Sequence, residues 1–448
     1  AMSGAGTIAV NSKSHELRKG AGFTLTPDTA FTLSSTGPEP LTFYVRTEPL
    51  PGNYVASADL VVVNSLDNDR RVGAHWAHIN SGGPAGMTLI GIAPRTMPQP
   101  HSHPSEECWI MVEGETVLSL GKQIRRMTAG QAYKIPPTGI TAHSNLNLGE
   151  ESAEMIFMGP AGGGGGGRGG QGAPGTQGGP PAQGTDFTRL DNGAYNRAAE
   201  QDIDMFIGDW RNAFPRIMHG NLYVRDMLTA LQGSDELHPA RRGAVLTNAE
   251  AVSYAQLEPG STAHRVEGEL KNIQQTFVVN SGTGVITSGS TRVELARNMA
   301  FIIPPGLDFR LTATGGNYLT CYVVSEKLPS GFAPRTTLEI VDNRARAQLT
   351  NAWVNQERSL ISKANGLSQY GAVTEVTMKA MTMSRPSSSG PGVEEIWIAI
   401  DGDVDVLLGK ELRRLRAGTA YRVPSTGITA HANINSSSQE ARFLYLAK

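Results

Sequence analysis

The chain has 448 residues, and its 39 lysines and arginines nearly balance its 41 aspartates and glutamates. This balance, without a basic patch or a polybasic tail, excludes proteins that bind nucleic acid or a membrane surface through charge. No apolar run approaches the roughly 18 residues that a transmembrane helix needs, and the two cysteines imply no disulfide framework. The 52 glycines and 26 prolines, with few helix-period apolar runs, predict short strands joined by turns.

The N-terminal sequence does not indicate the cellular location of the protein. No signal peptide is recognisable there, and Ala1-Met2 resembles a cloning scar. We therefore expect a soluble protein that is either cytoplasmic or exported with its signal removed upstream.

The sequence contains an internal duplication. Residues 4–51 align without a gap to residues 282–329, and residues 106–147 align without a gap to residues 394–435. The first alignment pairs Gly4, Phe23, Phe31, Leu33 and Tyr44 with Gly282, Phe301, Phe309, Leu311 and Tyr322. The second pairs Trp109, Gly114, Tyr133, Pro136, His143 and Asn147 with Trp397, Gly402, Tyr421, Pro424, His431 and Asn435. The chain is therefore predicted to be two copies of one two-domain unit, of which the first copy begins late.

Site chemistry is concentrated in residues 98–147. His101 and His103 are two residues apart, so on an extended strand both imidazoles point to the same face. Glu107 follows after a turn, and a later strand pair ends in His143. The neighbouring Glu106 is the competing carboxylate, but strand parity with the tryptophan two residues further on favours Glu107 as the inward one. Three imidazoles and a carboxylate inside a β-barrel predict a first-row transition-metal site.

This stretch resembles the two signature motifs of the cupin superfamily. The first motif, an HxH pair followed by a glutamate and a glycine, fits His101, His103, Glu107 and Gly114 without adjustment. The second fits less closely, because one extra residue separates its proline from its glycine and one more separates that glycine from the histidine. Its residues are Gly130, Pro136, Gly139, His143 and Asn147. The resemblance implies an all-β fold of tandem jelly-roll barrels, with His101, His103, Glu107 and His143 as the metal ligands.

The resemblance and the duplication together divide the chain into segments. They are a partial cupin barrel, second half only (1–51), a metal-binding cupin (52–160), a Gly/Pro-rich linker (161–185), a mixed or helical arm (186–240), a degenerate cupin (241–335) and a cupin with serines in place of its histidines (336–448). The linker has almost no apolar side chains and is expected to be a flexible tether. The arm is expected to be short and helical, because AYNRAAEQDIDMFIGDW and NLYVRDMLTALQG have helix-compatible spacing.

A half-barrel leaves unpaired strand edges. We therefore expect residues 1–51 to be completed by strands from elsewhere in the chain or from another subunit. A homodimer is the expected assembly.

The degenerate cupin is predicted to have lost its ligands. Gln275 takes the place of the glutamate, Glu269 and Lys271 roughly those of the two histidines, and Arg310 or Leu311 that of the last histidine. The lone His264 in this segment is expected to be structural.

The final cupin keeps only part of the motif. Ser387 and Ser389 fall where the two histidines stand in the first copy, while Glu395 and His431 remain. Serine is a poor ligand for a divalent transition metal. We expect this degenerate second site to be vacant or weakly occupied, in a barrel retained for assembly or for a small polar ligand.

The complete ligand set predicts a metal-dependent enzyme acting on a small-molecule substrate. The donors suit Fe, Mn, Ni, Cu or Zn, and affinity alone does not choose among these metals. The resemblance implies an oxidoreductase, of dioxygenase type, acting on a small oxygen-rich organic substrate. The alternatives are a non-redox metal-dependent lyase or isomerase, and a non-catalytic cupin that binds sugars or small molecules or serves for storage.

Overall fold

The computed structural model describes most of the chain. For residues 75–79 it describes the backbone alone. The described residues are 1–50, 52–53, 55, 59–64, 75–79, 87–98, 100–102, 104, 106–139, 141–159, 202–350, 355–409, 411–427 and 429–448. Their regular structure is β-strand with short 3-10 helices and no α-helix, which confirms the all-β prediction. No helix within these ranges is long and apolar enough to cross a membrane. The chain divides into two compact units, residues 1–189 and residues 190–448.

The first unit opens with short strands. They are β1 (Gly6–Val10), β2 (Lys13–Leu17), β3 (Ala21–Phe23), β4 (Phe31–Ser35) and β5 (Val62–Asn64). A three-stranded sheet has the order β2-β1-β4, and β3 pairs with β5. The β1–β2 hairpin turns at Asn11 and Ser12, whose φ angles of 49° and 69° match the right-handed twist of the flanking strands.

The rest of the first unit is a barrel of two sheets. Its strands are β6 (His75–Ile79), β7 (Met87–Ile92), β8 (Glu107–Glu113), β9 (Glu115–Leu120), β10 (Gln123–Thr128), β11 (Ala132–Ile135), β12 (His143–Leu146) and β13 (Ala153–Met158). One sheet has the order β11-β8-β13-β7-β6, and in the other β9 pairs with both β12 and β10. Side chains from both sheets form one apolar core, which includes Ile90, Trp109, Met111, Leu118 and Met127.

The second unit contains two barrels, of which the first is built from residues 215–342. The strands up to its end are β14 (Ile207–Asp209), β15 (Pro215–Met218), β16 (Leu222–Ala230), β17 (Ala244–Leu246), β18 (Ala249–Leu257), β19 (Thr262–His264), β20 (Ile273–Ser281), β21 (Gly284–Ser288), β22 (Thr291–Leu295), β23 (Met299–Ile303), β24 (Arg310–Ala313), β25 (Leu319–Lys327) and β26 (Glu339–Asp342). A large sheet of order β15-β16-β18-β25-β20-β23-β26 faces a sheet of order β19-β24-β21-β22 across a shared apolar core.

The helical arm expected before this barrel is wrong for the residues that the structure describes. Residues 222–230 form strand β16, and residues 203–212 form two 3-10 turns around the short strand β14. A register shift after Asp226 breaks the alternation, so that Leu222 and Val224 enter one core while Met227 and Leu228 enter another. The interrupted alternation imitates helical spacing. The predicted linker and residues 186–201 lie outside the described residues.

The last barrel completes the second unit. Its strands are β27 (Leu349–Thr350), β28 (Gln356–Ser362), β29 (Ala372–Met378), β30 (Thr382–Met383), β31 (Ser387–Ser388), β32 (Glu395–Asp401), β33 (Val404–Leu408), β34 (Glu411–Leu415), β35 (Thr419–Val423), β36 (Ala430–Asn435) and β37 (Ala441–Ala447), with a 3-10 turn at Lys363–Asn365. One sheet has the order β14-β35-β32-β37-β29-β28-β27. In the other, β36 pairs with β30, β31 and β33, and β33 pairs with β34.

The two barrels of the second unit share a core and a pair of buried carboxylates. Tyr254 and Tyr322 of one barrel pack in the same apolar cluster as Ile396 and Leu444 of the other. The buried Glu394 accepts hydrogen bonds from the backbone N–H and hydroxyl groups of Thr247 at 2.6 and 2.9 Å. In the opposite direction, buried Glu326 accepts the backbone N–H groups of residues 368–370. Each barrel therefore satisfies backbone donors of the other.

Strand registers reproduce the duplication that the alignment predicts. Glu107 lies opposite Ile135 and Glu395 lies opposite Val423, each immediately before the recurring proline. In the other aligned pair, Gly6 lies opposite Leu17 as Gly284 lies opposite Leu295. The same residues occupy the same ladder positions in both copies.

The two copies differ where strands are missing from the first. Strand β25 is a ladder member between β18 and β20, but the aligned residues 41–50 form no strand and make one isolated bridge, from Thr42 to Ser3. Among the described residues, β4 pairs with β1 alone, whereas the aligned β24 is also paired with β19. Within the described residues, β5 is the one later strand that pairs with this half, and it corresponds to β26 of the second copy. Completion by a further strand stays a prediction.

Candidate metal centre

Glu107 is the inward carboxylate of the barrel in the first unit. Strand β8 alternates buried and half-buried residues, which places Glu107, Trp109 and Met111 on the inner face. Glu106 lies outside and pairs with Lys134, with the two charged atoms 2.6 Å apart. The structure thus agrees with the strand-parity argument that chose Glu107 over its neighbour.

His143 lies beside that carboxylate. It is the first residue of β12 and is buried, and its Nε2 is 3.4 Å from Oε2 of Glu107. His101 pairs with His143 through two backbone hydrogen bonds of 2.9 and 3.2 Å, and their ring centroids are 4.4 Å apart. Three of the four predicted ligands therefore converge on one end of the barrel.

The fourth predicted ligand, His103, lies outside the described residues. Among the residues that are described, no three His, Cys, Asp or Glu side chains are grouped closely enough to hold a metal by themselves. The donor chemistry of His101, Glu107 and His143, two imidazoles and one carboxylate, nevertheless fits a divalent first-row transition metal.

Neighbouring polar groups hold this end of the barrel in place. The indole N–H of Trp109 donates to Oε2 of Glu107 at 3.2 Å, which limits rotation of the carboxylate. The hydroxyl of Tyr133 donates to Asn145 at 2.7 Å, and burial raises the pKa of this phenol far above its ordinary range. Asn147 donates to the carbonyls of Ile92 and Glu151 and so ties the residue after β12 to the end of β7 and to the loop before β13.

Residues 88–159 match the family model described as "Cupin domain". This match covers β7 to β13, with the buried glutamate and histidine described above. Residues 88–159 are therefore a cupin domain. Barrels recur along the chain in matching register, so the architecture of the chain is a duplicated set of such barrels.

Comparison with solved structures finds matches of low similarity. They include a serine-to-alanine variant of Bacillus subtilis oxalate decarboxylase, with 12% identity, a TM-score of 0.41 and coverage of 54% of this chain and 76% of that one. A tryptophan-to-phenylalanine variant of the same Bacillus subtilis enzyme has 12% identity, a TM-score of 0.40 and the same coverage. Similarity at this level carries no argument about activity. A search of curated proteins finds no match.

The C-terminal cupin barrel repeats the site without its histidine pair. Ser387 pairs with His431 in the ladder, as His101 pairs with His143. Nε2 of His431 lies 2.9 Å from Oε1 of Glu395, and the Trp397 indole donates to that same oxygen at 2.7 Å.

Glu395 has its remaining oxygen satisfied as well, because the Ser389 hydroxyl donates to Oε2. Burial would raise the pKa of this carboxyl, but the bonds from His431, Ser389 and Trp397 outweigh burial and hold the pKa below its ordinary value. Neighbouring side chains therefore satisfy both carboxylate oxygens.

In the degenerate cupin barrel, the residue predicted to take the place of His143 is wrong. In the ladder Thr287 lies opposite Arg310, so the residue opposite Ser288, immediately before Gly289, is Phe309. In the first unit, His143 lies opposite Leu120, immediately before the corresponding Gly121. Phe309 therefore occupies the place of His143, and the assignment of that place to Arg310 or Leu311 was wrong by one or two residues.

A residue that sequence reasoning missed fills this barrel. His219, in the turn between β15 and β16, is buried with its Nε2 2.6 Å from Oε1 of Gln275 and its ring edge-on to Phe309. Burial lowers the pKa of His219, although the bonds with Gln275 and the charge of Glu269 oppose the shift. Its only sequence signal is a histidine before a glycine at a hairpin turn, and nothing local links it to Gln275.

Proposed function

We propose that the cupin barrel of residues 87–159 binds one divalent transition metal and catalyses a reaction of a small oxygen-rich organic substrate. The ligands are His101, His103, Glu107 and His143. The observation that carries the proposal is the contact inside the barrel between the buried carboxylate of Glu107 and the buried imidazole of His143. An ionisable pair of this kind is costly to bury, and a bound cation offsets that cost.

The reaction we propose is an oxidation of the dioxygenase type. A metal with four protein ligands has open positions at which it would supply Lewis-acid or redox chemistry to a bound substrate. Fe, Mn, Ni, Cu and Zn all suit these donors.

The surrounding residues have separate roles in this proposal. Trp109 orients the Glu107 carboxylate through its indole N–H. Tyr133 stays a protonated phenol at neutral pH, so it can donate a hydrogen bond but is not a general base.

Metal content by inductively coupled plasma mass spectrometry tests the site, on protein purified without chelators or a histidine tag. We expect one transition metal per chain, lost in His101→Ala and in Glu107→Gln. The matched control is Glu395→Gln, which alters the equivalent position of the C-terminal barrel and is expected to retain the metal. Absence of metal from the parent protein, or loss in the control alone, would refute the assignment.

Oxygen-electrode measurements then test the reaction class. Dioxygen consumption with a panel of small hydroxy acids and diols, abolished by Glu107→Gln, is expected of an oxygenase. Metal-dependent turnover without dioxygen consumption would instead establish the lyase or isomerase alternative.

A further inference from the structure

The barrel in the first unit holds a further polar pair beside the proposed ligands. Asn145 lies two residues after His143 on β12, so the two side chains face the same way, and both are buried. The hydroxyl of Tyr133 donates to Oδ1 of Asn145 at 2.7 Å. Tyr133 lies opposite Trp109 in the ladder, with the two rings nearly parallel and their centroids 6.3 Å apart. The tyrosine–asparagine pair therefore lies on the inner face of the barrel.

The hydrogen bond from Tyr133 fixes the orientation of the Asn145 amide. Its carbonyl oxygen accepts the phenol, so the amide nitrogen is the group that is left over. That nitrogen makes no hydrogen bond to any residue that the structure describes. A donor without an acceptor inside a barrel costs free energy, because its lost hydration is not replaced. A bound molecule with an acceptor oxygen removes that cost.

The C-terminal barrel repeats this arrangement. The Tyr421 hydroxyl donates to Oδ1 of Asn433 at 2.9 Å, and Nδ2 of Asn433 is buried without a hydrogen-bond partner among the described residues. Asn433 lies two residues after His431 on β36, just as Asn145 follows the histidine of β12. The unpaired amide nitrogen therefore belongs to the aligned positions of both barrels and is not a local irregularity of one.

The degenerate barrel shows that the fold itself does not require this pair. By ladder position, Phe301 and Leu311 stand there at the places of Tyr133 and Asn145. Both are buried, so an apolar pair fills the same interior. The glutamate and the histidine of the site are also replaced in this barrel. The tyrosine–asparagine pair thus occurs in the two barrels that keep a glutamate–histidine contact, and the barrel that has lost the contact has lost the pair.

The spacing of Asn145 from His143 limits the size of the molecule that meets both residues. Residues two apart on a strand are separated by roughly 6.6 Å along it. A molecule of a few atoms bridges this distance, with one oxygen toward the His143 end and another at the Asn145 amide. Hydrogen bonds to an ionised acceptor are about twice as strong as those to a neutral one, which favours a carboxylate at the amide.

We propose that the amide nitrogen of Asn145 binds a carboxylate oxygen of the substrate, and that Tyr133 positions the amide for this contact. The inference rests on the function proposed above for this barrel, and it narrows the substrate to a small carboxylic acid with a second oxygen nearby. Asn145 is a substrate-binding residue in this assignment. Tyr133 acts only through Asn145, by holding the carbonyl oxygen of the amide.

Isothermal titration calorimetry of the metal-loaded, full-length protein with glycolate, a small hydroxy acid, tests the contact. Asn145→Leu introduces the residue type that the degenerate barrel holds at the same ladder position, so the interior stays filled. We expect this variant to bind glycolate about tenfold or more weakly, the effect of losing one hydrogen bond to a charged group. The matched control Asn433→Leu makes the same change in the C-terminal barrel and is expected to alter the affinity by less than about twofold.

Tyr133→Phe tests the positioning role. The amide remains but is free to rotate, so we expect a smaller loss of glycolate affinity, roughly threefold. In the Asn145→Leu background the same change is expected to have no further effect, because no amide is left to position. A role in packing alone would instead add the same loss in both backgrounds.

Metal content, measured on the same preparations, separates this inference from the proposed function. We expect the parent protein and every variant to hold one metal per chain. A parent protein without metal would refute the proposed function, and this inference with it. With metal present in the parent, four results overturn this inference alone: no saturable binding of glycolate to the parent, loss of metal from Asn145→Leu, unchanged affinity in Asn145→Leu, or equal losses in Asn145→Leu and Asn433→Leu.

Discussion

Glu107 and Glu395 occupy the same ladder position in two barrels, yet their neighbours differ in kind. Each accepts the indole N–H of the tryptophan two residues later, at 3.2 and 2.7 Å. Glu395 also accepts the hydroxyl of Ser389, in the loop that aligns with the segment carrying the histidine pair in the first copy. The tryptophan is therefore common to these two barrels, and the residues of the preceding loop distinguish the two sites.

This shared hydrogen bond predicts a positioning role for Trp109. Trp109→Phe removes the donor while keeping an aromatic ring in the core, so the Glu107 carboxylate gains rotational freedom. We expect metal affinity to fall by roughly 10- to 100-fold, the range for partners that orient a ligand. Competition titration with a chromophoric chelator measures this.

Trp397→Phe is the matched control, expected to leave metal affinity unchanged because Glu395 is not among the proposed ligands. Equal losses in both variants would indicate a general effect on packing.

Strands that have the same ladder neighbours in both copies keep their register. A segment that lacks those neighbours among the described residues forms no strand. Residues 41–50 carry the same pattern as β25 but form no strand, because a strand is stabilised by its ladder neighbours as well as by its own residues. The β15–β16 hairpin makes a similar point, since its turn delivers His219 to a barrel whose motif residues lie more than forty positions away.

That hairpin predicts a pH dependence. Since burial lowers the pKa of His219, the unfolded chain binds a proton near the ordinary histidine pKa of about 6.5 while the folded barrel does not. The unfolded state then holds more protons, so the free energy of unfolding falls as the pH drops below about 6.5.

Thermal unfolding at about pH 7.5 and about pH 5.5 measures the effect. We expect His219→Gln, which keeps a hydrogen-bonding group beside Gln275, to reduce the loss of Tm on acidification. The exposed His238, paired with Asp235 at the surface, provides the control variant His238→Gln, which is expected to keep the parent slope. Identical pH slopes for all three proteins would contradict the assignment.

Across the second unit, the barrels are joined by buried charge as well as by apolar packing. Glu394 and Arg422 are both fully buried, with Nε of Arg422 3.5 Å from the carboxylate, and Glu394 also accepts the Tyr370 hydroxyl. The aligned pair in the first unit, Glu106 and Lys134, is mostly exposed. The same aligned pair of positions therefore holds a buried ion pair in one barrel and an exposed ion pair in the other. The difference arises because the neighbouring barrel of the second unit covers Glu394.

This difference predicts unequal costs for the same substitution. Glu394→Ala leaves the buried Arg422 with Glu236, 3.0 Å from its Nη2, as its remaining carboxylate partner, and leaves the Thr247 backbone N–H without an acceptor. We therefore expect a loss of about 3 kcal/mol in unfolding free energy. Glu106→Ala removes an exposed ion pair and is expected to cost about 1 kcal/mol or less. Urea unfolding of both variants measures the contrast, and equal costs would show that the buried pair contributes no more than the exposed one.

The sequence by itself determined the all-β architecture, the duplication and the inward orientation of Glu107. These depend on strand alternation and on recurring spacings, which are local properties of the chain. Only the tertiary structure decided that β16 is a strand, that Phe309 takes the place of His143 in the degenerate barrel, and that His219 fills its interior. It also decided which of two aligned acid–base pairs is buried. Each of these depends on contacts between segments far apart in the chain, where a bulge, a one-residue shift or a missing neighbour changes the outcome without changing the local pattern.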